Sequence, residues 1–483
     1  MAMDILTELY RILPPQAVIT DSESKRPYEC DGLSAYRQLP GVVVLPDTVE
    51  QVQTILKLCH RYKTPVVPRG AGTGLSGGAL PLAQGVLLSL AKFNRILALD
   101  PINRTATVEP GVRNLAISEA VAGYGLYYAP DPSSQIACTI GGNVAENSGG
   151  VHCLKYGLTV HNVLGLKVLT LAGDLLDLGG QALDTPGYDL LALMTGSEGL
   201  LGVVVEVTVK LLPKPPYAQV LLAAFDRIES AGAACAAIIA CGILPAGLEL
   251  MDRAATCAVE DFVHAGYPLE AEAILLCELD GIREEVEAEI PRLQAVLCSS
   301  GATEIRLARD EVDRRRFWAG RKAAFPAVGR IAADYYCMDG TIPRRHLAQV
   351  LSRIGQLSSE HGLPVVNVFH AGDGNLHPLI CYDANVPGEL DKAEALGGKI
   401  LELCVEVGGT VTGEHGVGVE KLDQMCVQFN ALELSQFHAI KRAFDPQGLL
   451  NPGKAIPTLH RCAEWGAMHV HQGRLPFPEL ERF

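Results

Sequence analysis

Runs of hydrophobic residues, separated by glycine- and proline-rich turns, extend along the chain and predict an α+β fold. Residues 42–45 and 65–68 are apolar and favour two strands, and the segment between them has the period of a helix. Asp47 and Glu50 form a candidate capping box at the start of that helix. Further strands are predicted at 86–90, 96–99, 105–108, 163–171 and 203–211.

Pro213, Pro215 and Pro216 interrupt this pattern, and we place the first domain boundary there. The segments that follow predict the order β-α-β-β-α-β, which is typical of ferredoxin-like folds. Their predicted bounds are strand 218–225, helix 228–242, strand 246–251, strand 273–280, helix 283–300 and strand 303–307, with a helical excursion before the third strand. A helical stretch at 310–330, a hairpin at 364–381, a helix ending near 407 and a glycine-rich turn at 408–418 come next.

Composition limits the classes of function. A formal net charge of −15 argues against nucleic acid as a partner. Asp4 and Glu8 lie where a signal peptide would carry positive charge, so we expect the mature chain to begin here and to be cytoplasmic. The fourteen cysteines include no CxxC pair, which predicts that the chain carries neither an iron–sulfur cluster nor an attached haem. The uncharged window 231–248 contains Gly242 and Pro245 and is interpreted as a buried helix rather than a membrane span.

The segment VVPRGAGTGLSGGALP, at 66–81, follows a strand and contains GxGxxG at Gly72, Gly74 and Gly77. A nicotinamide-binding Rossmann turn requires a helix to begin inside this motif, but Pro81 and Gly85 follow at once. The sequence therefore argues against a Rossmann turn. A loop so rich in glycine can instead direct several backbone N–H groups at an anion, the alternative being a plain wide turn.

Two more glycine-rich segments follow, TIGGNVAENSGG at 139–150 and GSEGLLGVVVEVTVKLLP at 196–213. In that order and at those intervals, the three segments resemble the FAD-binding domain of the vanillyl-alcohol oxidase and p-cresol methylhydroxylase superfamily. HAGDGNLH at 370–377, GEHGVG at 413–418 and FDPQGLLNPGK at 444–454 extend the resemblance over the whole chain. Within the superfamily the chain is most similar to the glycolate oxidase branch, with D-lactate and D-2-hydroxyglutarate dehydrogenases as close relatives.

The resemblance implies a domain organisation. A two-subdomain FAD-binding domain with an N-terminal helical segment is expected at 1–216, and a ferredoxin-like substrate (cap) domain at 217–410. A C-terminal helical segment at 411–457 would complete the active site, and a tail follows at 458–483.

The resemblance also implies which residues bind FAD. The first loop wraps the pyrophosphate, the second segment lines the flavin and ribityl chain, the third takes the adenine side, and one residue of the NPGK segment lies near the flavin ring. The matching residues are, in that order, Pro68, Arg69, Gly70, Ala71, Gly72, Thr73, Gly74, Leu75, Ser76, Gly77 and Gly78; Pro132, Ser133, Thr139, Gly142, Asn143 and Gly149; Glu198, Gly202, Val203 and Val204; and Asn451. Some relatives tether the flavin through a histidine near the first loop, but 66–81 contains none, so non-covalent binding is expected.

The segment VVNVFHAGDGNLHPLI, at 365–380, predicts a hairpin with Asp373 and Gly374 as a two-residue turn. In that register His370 lies directly opposite His377, at a spacing that suits two imidazoles on one metal. The alternative is a pair of core histidines that donate to backbone carbonyls. Glu414, in GEHGVG, supplies a third candidate ligand, and two histidines with one carboxylate suit Zn²⁺, Mn²⁺ or Fe²⁺. In the dehydrogenases that the chain resembles, the matching residues bind a divalent metal.

Two further residues are candidates for the chemistry of the substrate. His415 is the candidate general base, because a histidine titrates near neutral pH and this one adjoins a metal ligand; the alternative is a hydrogen-bonded turn residue. Arg321 matches the family position that binds the substrate carboxylate, and its planar guanidinium suits a two-point contact. Arg316 and Lys322 are the alternatives for this role.

Together these features predict oxidation of a small 2-hydroxy acid, glycolate before D-lactate, by hydride transfer to FAD. The resemblance implies a second FAD-domain subunit and an iron–sulfur subunit as electron acceptors, at the inner face of a membrane. A stand-alone D-lactate or D-2-hydroxyglutarate dehydrogenase is the first alternative. A metal-dependent hydrolase that uses His370, His377 and Glu414 is the alternative from another class, and a subunit that only relays electrons is a third.

Overall fold

The computed structural model of the chain describes residues 3–182 and 186–457, so the tail predicted at 458–483 lies outside the described residues. Its helices, numbered along the chain, are α1 Met3–Ile12, α2 Ser22–Lys25, α3 Val49–Tyr62, α4 Asn114–Val121, α5 Ile140–Glu146, α6 Cys153–Tyr156, α7 Thr159–Asn162, α8 Leu190–Met194, α9 Ile228–Ala240, α10 Arg253–Val263, α11 Arg283–Ser299, α12 Glu311–Lys322, α13 Ala324–Val328, α14 Leu347–His361, α15 Glu389–Glu406, α16 Leu422–Gln428 and α17 Ala431–Phe444. Its strands are β1 Val18–Ile19, β2 Val42–Val44, β3 Val66–Arg69, β4 Val86–Ser89, β5 Ile96–Asp100, β6 Thr105–Val108, β7 Leu126–Tyr127, β8 Val163–Leu169, β9 Leu175–Gly179, β10 Val203–Lys210, β11 Leu212–Pro213, β12 Tyr217–Phe225, β13 Gly247–Asp252, β14 Ala273–Gly281, β15 Glu304–Leu307, β16 Asp334–Cys337, β17 Val365–His370 and β18 Asn375–Tyr382.

The chain divides into two compact units. The described residues of the first unit lie within Met1–Ser148, Leu158–Pro213 and His415–Phe483, and those of the second within Gly149–Gly157 and Lys214–Glu414. Among the described residues, no helix combines the length and the apolar character that crossing a bilayer requires.

The first unit contains a four-stranded sheet in the order β1-β2-β4-β3. The predicted β-α-β unit is present as β2, α3 and β3, but β4 lies between the two strands and is parallel to both. The predicted capping box is wrong by one residue. Thr48, not Asp47, caps α3, because the Thr48 hydroxyl accepts the Gln51 N–H at 3.3 Å, while the Asp47 N–H donates to the Gln51 side chain.

A five-stranded antiparallel sheet in the order β5-β6-β10-β8-β9 forms the other half of the first unit. Strand β10 alternates buried and half-buried residues along its length, so one of its faces packs on the hydrophobic core. The glycine-rich loop that leaves β3 continues into strand β4 and not into a helix, as the argument against a Rossmann turn required.

The second unit is built on a seven-stranded antiparallel sheet in the order β15-β12-β14-β13-β17-β18-β16. Its first four strands come from the segment 217–307 with bounds close to the predicted ones, and α10 is the predicted excursion between β13 and β14. The stretch predicted as helical at 310–330 forms α12 and α13. The histidine hairpin, β17 and β18, is part of this sheet.

The predicted register of the hairpin is wrong. Its loop has four residues, 371–374, so His370 pairs with Asn375 and His377 pairs with Val368. The loop is closed by the Gly374 N–H, which donates to the His370 carbonyl at 3.1 Å, and by the Asp373 carboxylate, which accepts the Asn375 N–H at 3.0 Å. His370 and His377 are therefore diagonal neighbours, offset by two positions, and still share one face of the sheet.

Candidate active site

The glycine-rich loop of the first unit offers an unbroken series of backbone donors. In the described part of the chain, none of the backbone N–H groups of residues 70–78 donates a hydrogen bond. Gly72 and Gly77 have φ angles of +72° and +78°, which glycine adopts without strain. Free N–H groups on a left-handed loop are the arrangement that binds phosphate oxygens, so the loop fits the pyrophosphate of a dinucleotide.

Close approaches hold this loop against the other glycine-rich segments of the first unit. A Cβ on Gly70 would lie 2.3 Å from the Thr139 hydroxyl oxygen, and one on Gly418 would lie 2.0 Å from the Ser76 carbonyl oxygen. The Ser76 hydroxyl also donates to the His415 carbonyl at 2.9 Å. The loop at 68–78, the segment around Thr139 and residues 415–418 of GEHGVG therefore meet in the folded first unit.

The second segment forms helix α5, with Thr139 as its N-terminal flanking residue. Gly142 follows on the first turn, and the buried Asn143 accepts from Asn114 at 3.1 Å and donates to Ser148 at 3.3 Å. In the described residues the buried Thr139 hydroxyl has no hydrogen-bond partner, so it is available to a ligand. Pro132 is buried and Ser133 exposed in the preceding loop, whereas Gly149 belongs to the second unit.

The third segment is tied to GEHGVG through Glu198. This residue has a φ angle of +51°, and its carboxylate accepts the N–H groups of Val417 and Gly418, each at 2.7 Å. Burial raises the pKa of Glu198 in spite of these two bonds. Gly202 lies directly before β10, where Val203 and Val204 pair with β8.

Asn451 joins three of these segments. Its side-chain amide donates to the Gly78 carbonyl at 3.0 Å and to the Glu198 carbonyl at 2.6 Å. The sequence did not point to Lys454, which donates to the Gly78 carbonyl at 2.9 Å and whose pKa burial lowers to about 7. It also did not point to Glu146, whose carboxylate oxygens lie 2.7 Å from the position of a Cβ on Gly78 and 2.0 Å from that of a Cβ on Gly416. Both lie inside recognised motifs, but only the folded chain shows that they meet.

The second unit brings the three predicted metal ligands together. One ligand atom each from His370, His377 and Glu414 lies within 4.8 Å of the others. The Glu414 Oε1 atom is 3.4 Å from His370 Nε2 and 3.0 Å from His377 Nε2. Ligands at bond lengths of about 2.0–2.1 Å on a tetrahedral zinc are about 3.4 Å apart, so the cluster is close to the size that a metal needs.

Both imidazoles direct their Nε2 atom towards Glu414. His370 Nδ1 lies 2.8 Å from a carboxylate oxygen of Glu249, and His377 Nδ1 lies 3.3 Å from the Met338 carbonyl oxygen. Because these partners can only accept, each Nδ1 carries a proton and each Nε2 points to the common centre. Metal-binding histidines typically have this arrangement, and it weakens the alternative of two merely structural core histidines.

The electrostatics of the cluster favour a negative Glu414. Burial alone would raise the pKa of Glu414, but His370 and His377 outweigh it and hold the pKa well below its usual range. Burial would lower the pKa of His370, but Glu249 and Glu414 raise it well above its usual range. A divalent cation bound by the two imidazoles would also stabilise a negative Glu414.

Asp339, which the sequence did not single out, fixes the turn that carries Glu414. Its carboxylate accepts the Glu414 N–H at 3.1 Å, the Gly413 N–H at 3.1 Å and the Thr412 hydroxyl at 2.6 Å. Asp339 directly follows Met338, the residue whose carbonyl accepts from His377. One short segment therefore positions two of the three ligands.

Arg321 is the buried member of the three candidate cations. Its Nε atom donates to Glu249 Oε2 at 2.7 Å, and its Nη2 atom lies 2.6 Å from the same oxygen. Lys322 is exposed, and Arg316 pairs with Asp313 at 3.1 Å. Glu249 was missed because an isolated glutamate in an apolar strand carries no motif of its own.

Comparison with known proteins identifies the family. Residues 40–179 match the sequence family described as "FAD binding domain", and residues 214–455 match "FAD linked oxidases, C-terminal domain". These matches favour a flavoprotein over the metal-dependent hydrolase.

Relatives of known name cover nearly the whole chain. The glycolate oxidase subunit GlcD of Escherichia coli (strain K12) is 67% identical over 99% of this chain and 96% of its own length. A D-lactate dehydrogenase of Anaerostipes hadrus is 34% identical over 93% of this chain and 96% of its own length. Among solved structures, p-cresol methylhydroxylase with substrate bound has a TM-score of 0.80 at 19% identity, over 95% of this chain and 97% of its own, which shows a shared fold.

Proposed function

The chain belongs to the family of FAD-linked oxidases, and from that premise we propose that it oxidises a small 2-hydroxy acid to the 2-oxo acid, with glycolate as the preferred substrate and D-lactate as the second. The identity of 67% to a glycolate oxidase subunit is the observation that carries the choice of glycolate. The more distant D-lactate dehydrogenases support the second substrate and keep a stand-alone D-lactate or D-2-hydroxyglutarate dehydrogenase as the alternative.

The cofactor is FAD, and we propose that it is bound by the residues named from the glycine-rich motifs and by Asn451, which belong to the first unit except for Gly149. The free N–H groups of residues 70–78 would hold the pyrophosphate, and the Thr139 hydroxyl is available beside them. What FAD supplies when bound is an acceptor at N5 for the α-hydrogen of the substrate as a hydride. Since 66–81 lacks a histidine, acid precipitation should release all the flavin, and colour left in the pellet would contradict non-covalent binding.

The second unit supplies the groups that handle the substrate. We propose that Arg321 binds the substrate carboxylate and that His370, His377 and Glu414 hold one divalent metal. What such a metal supplies when bound is polarisation of the substrate hydroxyl and carboxylate. His415, the next residue after Glu414, is proposed as the base that takes the hydroxyl proton.

We further infer that the first four strands of the seven-stranded sheet, in the order β15-β12-β14-β13, form the ferredoxin-like part of a substrate domain at 217–410. The other expected domains, the FAD-binding domain at 1–216 and the C-terminal segment at 411–457, are kept as part of the same proposal.

Reduced flavin must be reoxidised, and the chain has no CxxC pair for a cluster of its own. We propose that it passes its electrons to a second FAD-domain subunit and an iron–sulfur subunit at the inner face of a membrane. The name of the relative as a subunit supports an assembly. Purification from the native host of a lone chain, fully active with membrane quinone, would contradict it.

Anaerobic bleaching of the flavin tests the proposed function. Glycolate should bleach the purified holoprotein fastest, D-lactate more slowly, and L-lactate and D-2-hydroxyglutarate least. Bleaching by D-2-hydroxyglutarate alone would support the alternative dehydrogenase. If the purified chain is coloured but no 2-hydroxy acid bleaches it, the proposed activity is wrong and the chain only relays electrons.

A further inference from the structure

We propose that Glu249 is a positioning residue that couples the metal ligand His370 to the substrate-binding Arg321 through its single carboxylate. The inference rests on the proposed function, because it assumes a metal at His370 and a substrate carboxylate at Arg321. It adds a residue to which no motif assigns a role, and it predicts that metal and substrate strengthen each other's binding.

The sheet places Glu249 directly beside His370. Glu249 on β13 and His370 on β17 are cross-strand partners, so their side chains share one face. Glu249 Oε1 accepts the His370 Nδ1 proton at 2.8 Å, which leaves Nε2 as the only nitrogen that can bind a metal. Without this acceptor the ring could rotate or change tautomer, and the ligand would be lost.

The second oxygen of Glu249 holds Arg321. Two nitrogens of the guanidinium lie 2.7 Å and 2.6 Å from Oε2. Glu249 is 1% exposed, and His370 and Arg321 are each 3% exposed, so no water replaces these contacts. A buried arginine without its carboxylate is strongly destabilised, which means that Glu249 decides where the guanidinium lies.

A second glutamate on the same face of the sheet, Glu278, also binds an arginine of α12 and serves as a comparison for Glu249. Glu278 on β14 lies opposite Gly247, two residues before Glu249 on β13. It accepts from Trp318 and Arg314, and His152 lies 3.6 Å from it. Helix α12 therefore lays Arg314, Trp318 and Arg321, at helical spacing i, i+4 and i+7, along two glutamates.

Only one of the two glutamates leads to a possible metal site. Among the described residues, the groups of three potential ligands include His370 but not His152. Glu278 thus provides a matched control, with the same residue type, sheet face and partner helix, but no ligand cluster.

Coupling follows from the shared carboxylate. A cation on His370 Nε2 makes the Nδ1 proton a stronger donor, which fixes Glu249 and with it the Arg321 guanidinium. Binding linkage is reciprocal, so a carboxylate ligand on Arg321 should tighten metal binding by the same factor, which is typically about 5-fold or more.

The test uses the full-length holoprotein loaded with Zn²⁺. Zinc retained during titration with a chelator is measured by elemental analysis, with and without glyoxylate as a product-class carboxylate. In the wild type, glyoxylate should raise zinc retention at least about 5-fold. Glu249→Gln replaces one oxygen by an NH₂ group that cannot accept, so it should weaken zinc binding about 10–100-fold and abolish the effect of glyoxylate. Glu278→Gln should leave both quantities unchanged.

The outcomes separate the two proposals. If the wild type holds zinc and is bleached by glycolate but glyoxylate does not change zinc retention, the coupling is wrong while the proposed function stands. The same conclusion follows if Glu278→Gln reproduces the effect of Glu249→Gln. A wild-type chain that binds no zinc overturns the proposed metal and this inference with it. The wild-type measurement needs no variant, so a variant that fails to fold does not prevent the test.

Discussion

The candidate site of the first unit consists mainly of backbone groups, whereas that of the second unit consists of side chains. In the first unit, the backbone N–H groups of residues 70–78 donate no hydrogen bond within the described part of the chain, and glycines allow neighbouring segments to approach within 2–3 Å of where a Cβ would be. In the second unit, side chains from paired strands, one helix and one turn meet: Glu249, His370 and His377 from the strands, Arg321 from α12 and Glu414 from the turn.

This difference predicts which substitutions each site tolerates. A backbone site depends on the absence of side chains at the glycine positions, so adding one carbon atom there should damage it. A side-chain site depends on a few functional groups on a rigid sheet, so removing one group should abolish the chemistry without unfolding the unit. Cofactor binding and turnover should therefore be separable by mutation.

The largest expected effect is that of His377→Ala. Loss of one proposed metal ligand should lower turnover by more than about 100-fold, because three side chains would share the cation and even the partner of a ligand contributes about 10–100-fold, while bound FAD stays near one per chain. Flavin absorbance and glycolate-dependent dye reduction measure the two quantities. His361→Ala, on the end of α14 in the same unit, should leave both unchanged. Loss of FAD in His377→Ala would remove the distinction between the two sites.

The second-largest effect is expected from Gly418→Ala in the first unit, which should weaken FAD binding. Gly418 has a φ angle of +54°, and a Cβ there would lie 2.0 Å from the Ser76 carbonyl, so the glycine-rich loop must move. The strain of about 1–3 kcal/mol should weaken FAD retention roughly 10- to 100-fold. The ratio of flavin to protein after gel filtration measures it. Gly123→Ala, where a Cβ meets nothing within 4 Å, is the control and should bind FAD normally.

The smallest of the three effects is expected from Arg321→Lys. An ammonium cannot make the two contacts that the guanidinium makes with Glu249, nor a planar contact with a carboxylate. The substrate concentration for half-maximal flavin reduction should rise several-fold, with FAD content and zinc retention reduced little if at all. Stopped-flow reduction at a series of glycolate concentrations gives the value. Unchanged kinetics would move the carboxylate site away from Arg321.

Local signals in the sequence were sufficient for most elements of the fold. Strand 105–108 has the predicted bounds, and β17 and β18 lie where the two apolar segments on either side of Asp373 and Gly374 placed them, because apolar runs and turn residues act over a few positions. The rejection of a Rossmann turn also needed only Pro81 and the following strand. The glycine motifs by themselves left a plain wide turn open, and the family resemblance that they carry implied FAD as the cofactor.

Details that depend on competition between neighbours were predicted less well. Thr48 instead of Asp47 caps α3, and the hairpin has a four-residue loop instead of a two-residue turn. In each case both choices satisfy the local pattern, and the hydrogen bonds of the folded chain distinguish them. The two candidate ligand histidines still share a face because an offset of two positions preserves the side of the strand.

The sequence by itself determined which residue types are available for a flavin and a metal, because His370, His377 and Glu414 lie in short motifs. Only the tertiary structure decided what supports them. Glu249 and Asp339 come from segments distant in sequence from the candidate ligands, and Lys454, although it lies in a recognised motif, meets Gly78 only in the folded chain. A lone carboxylate in an apolar strand has no periodic or spacing signal, and it acquires a function when the sheet places it between a histidine and an arginine.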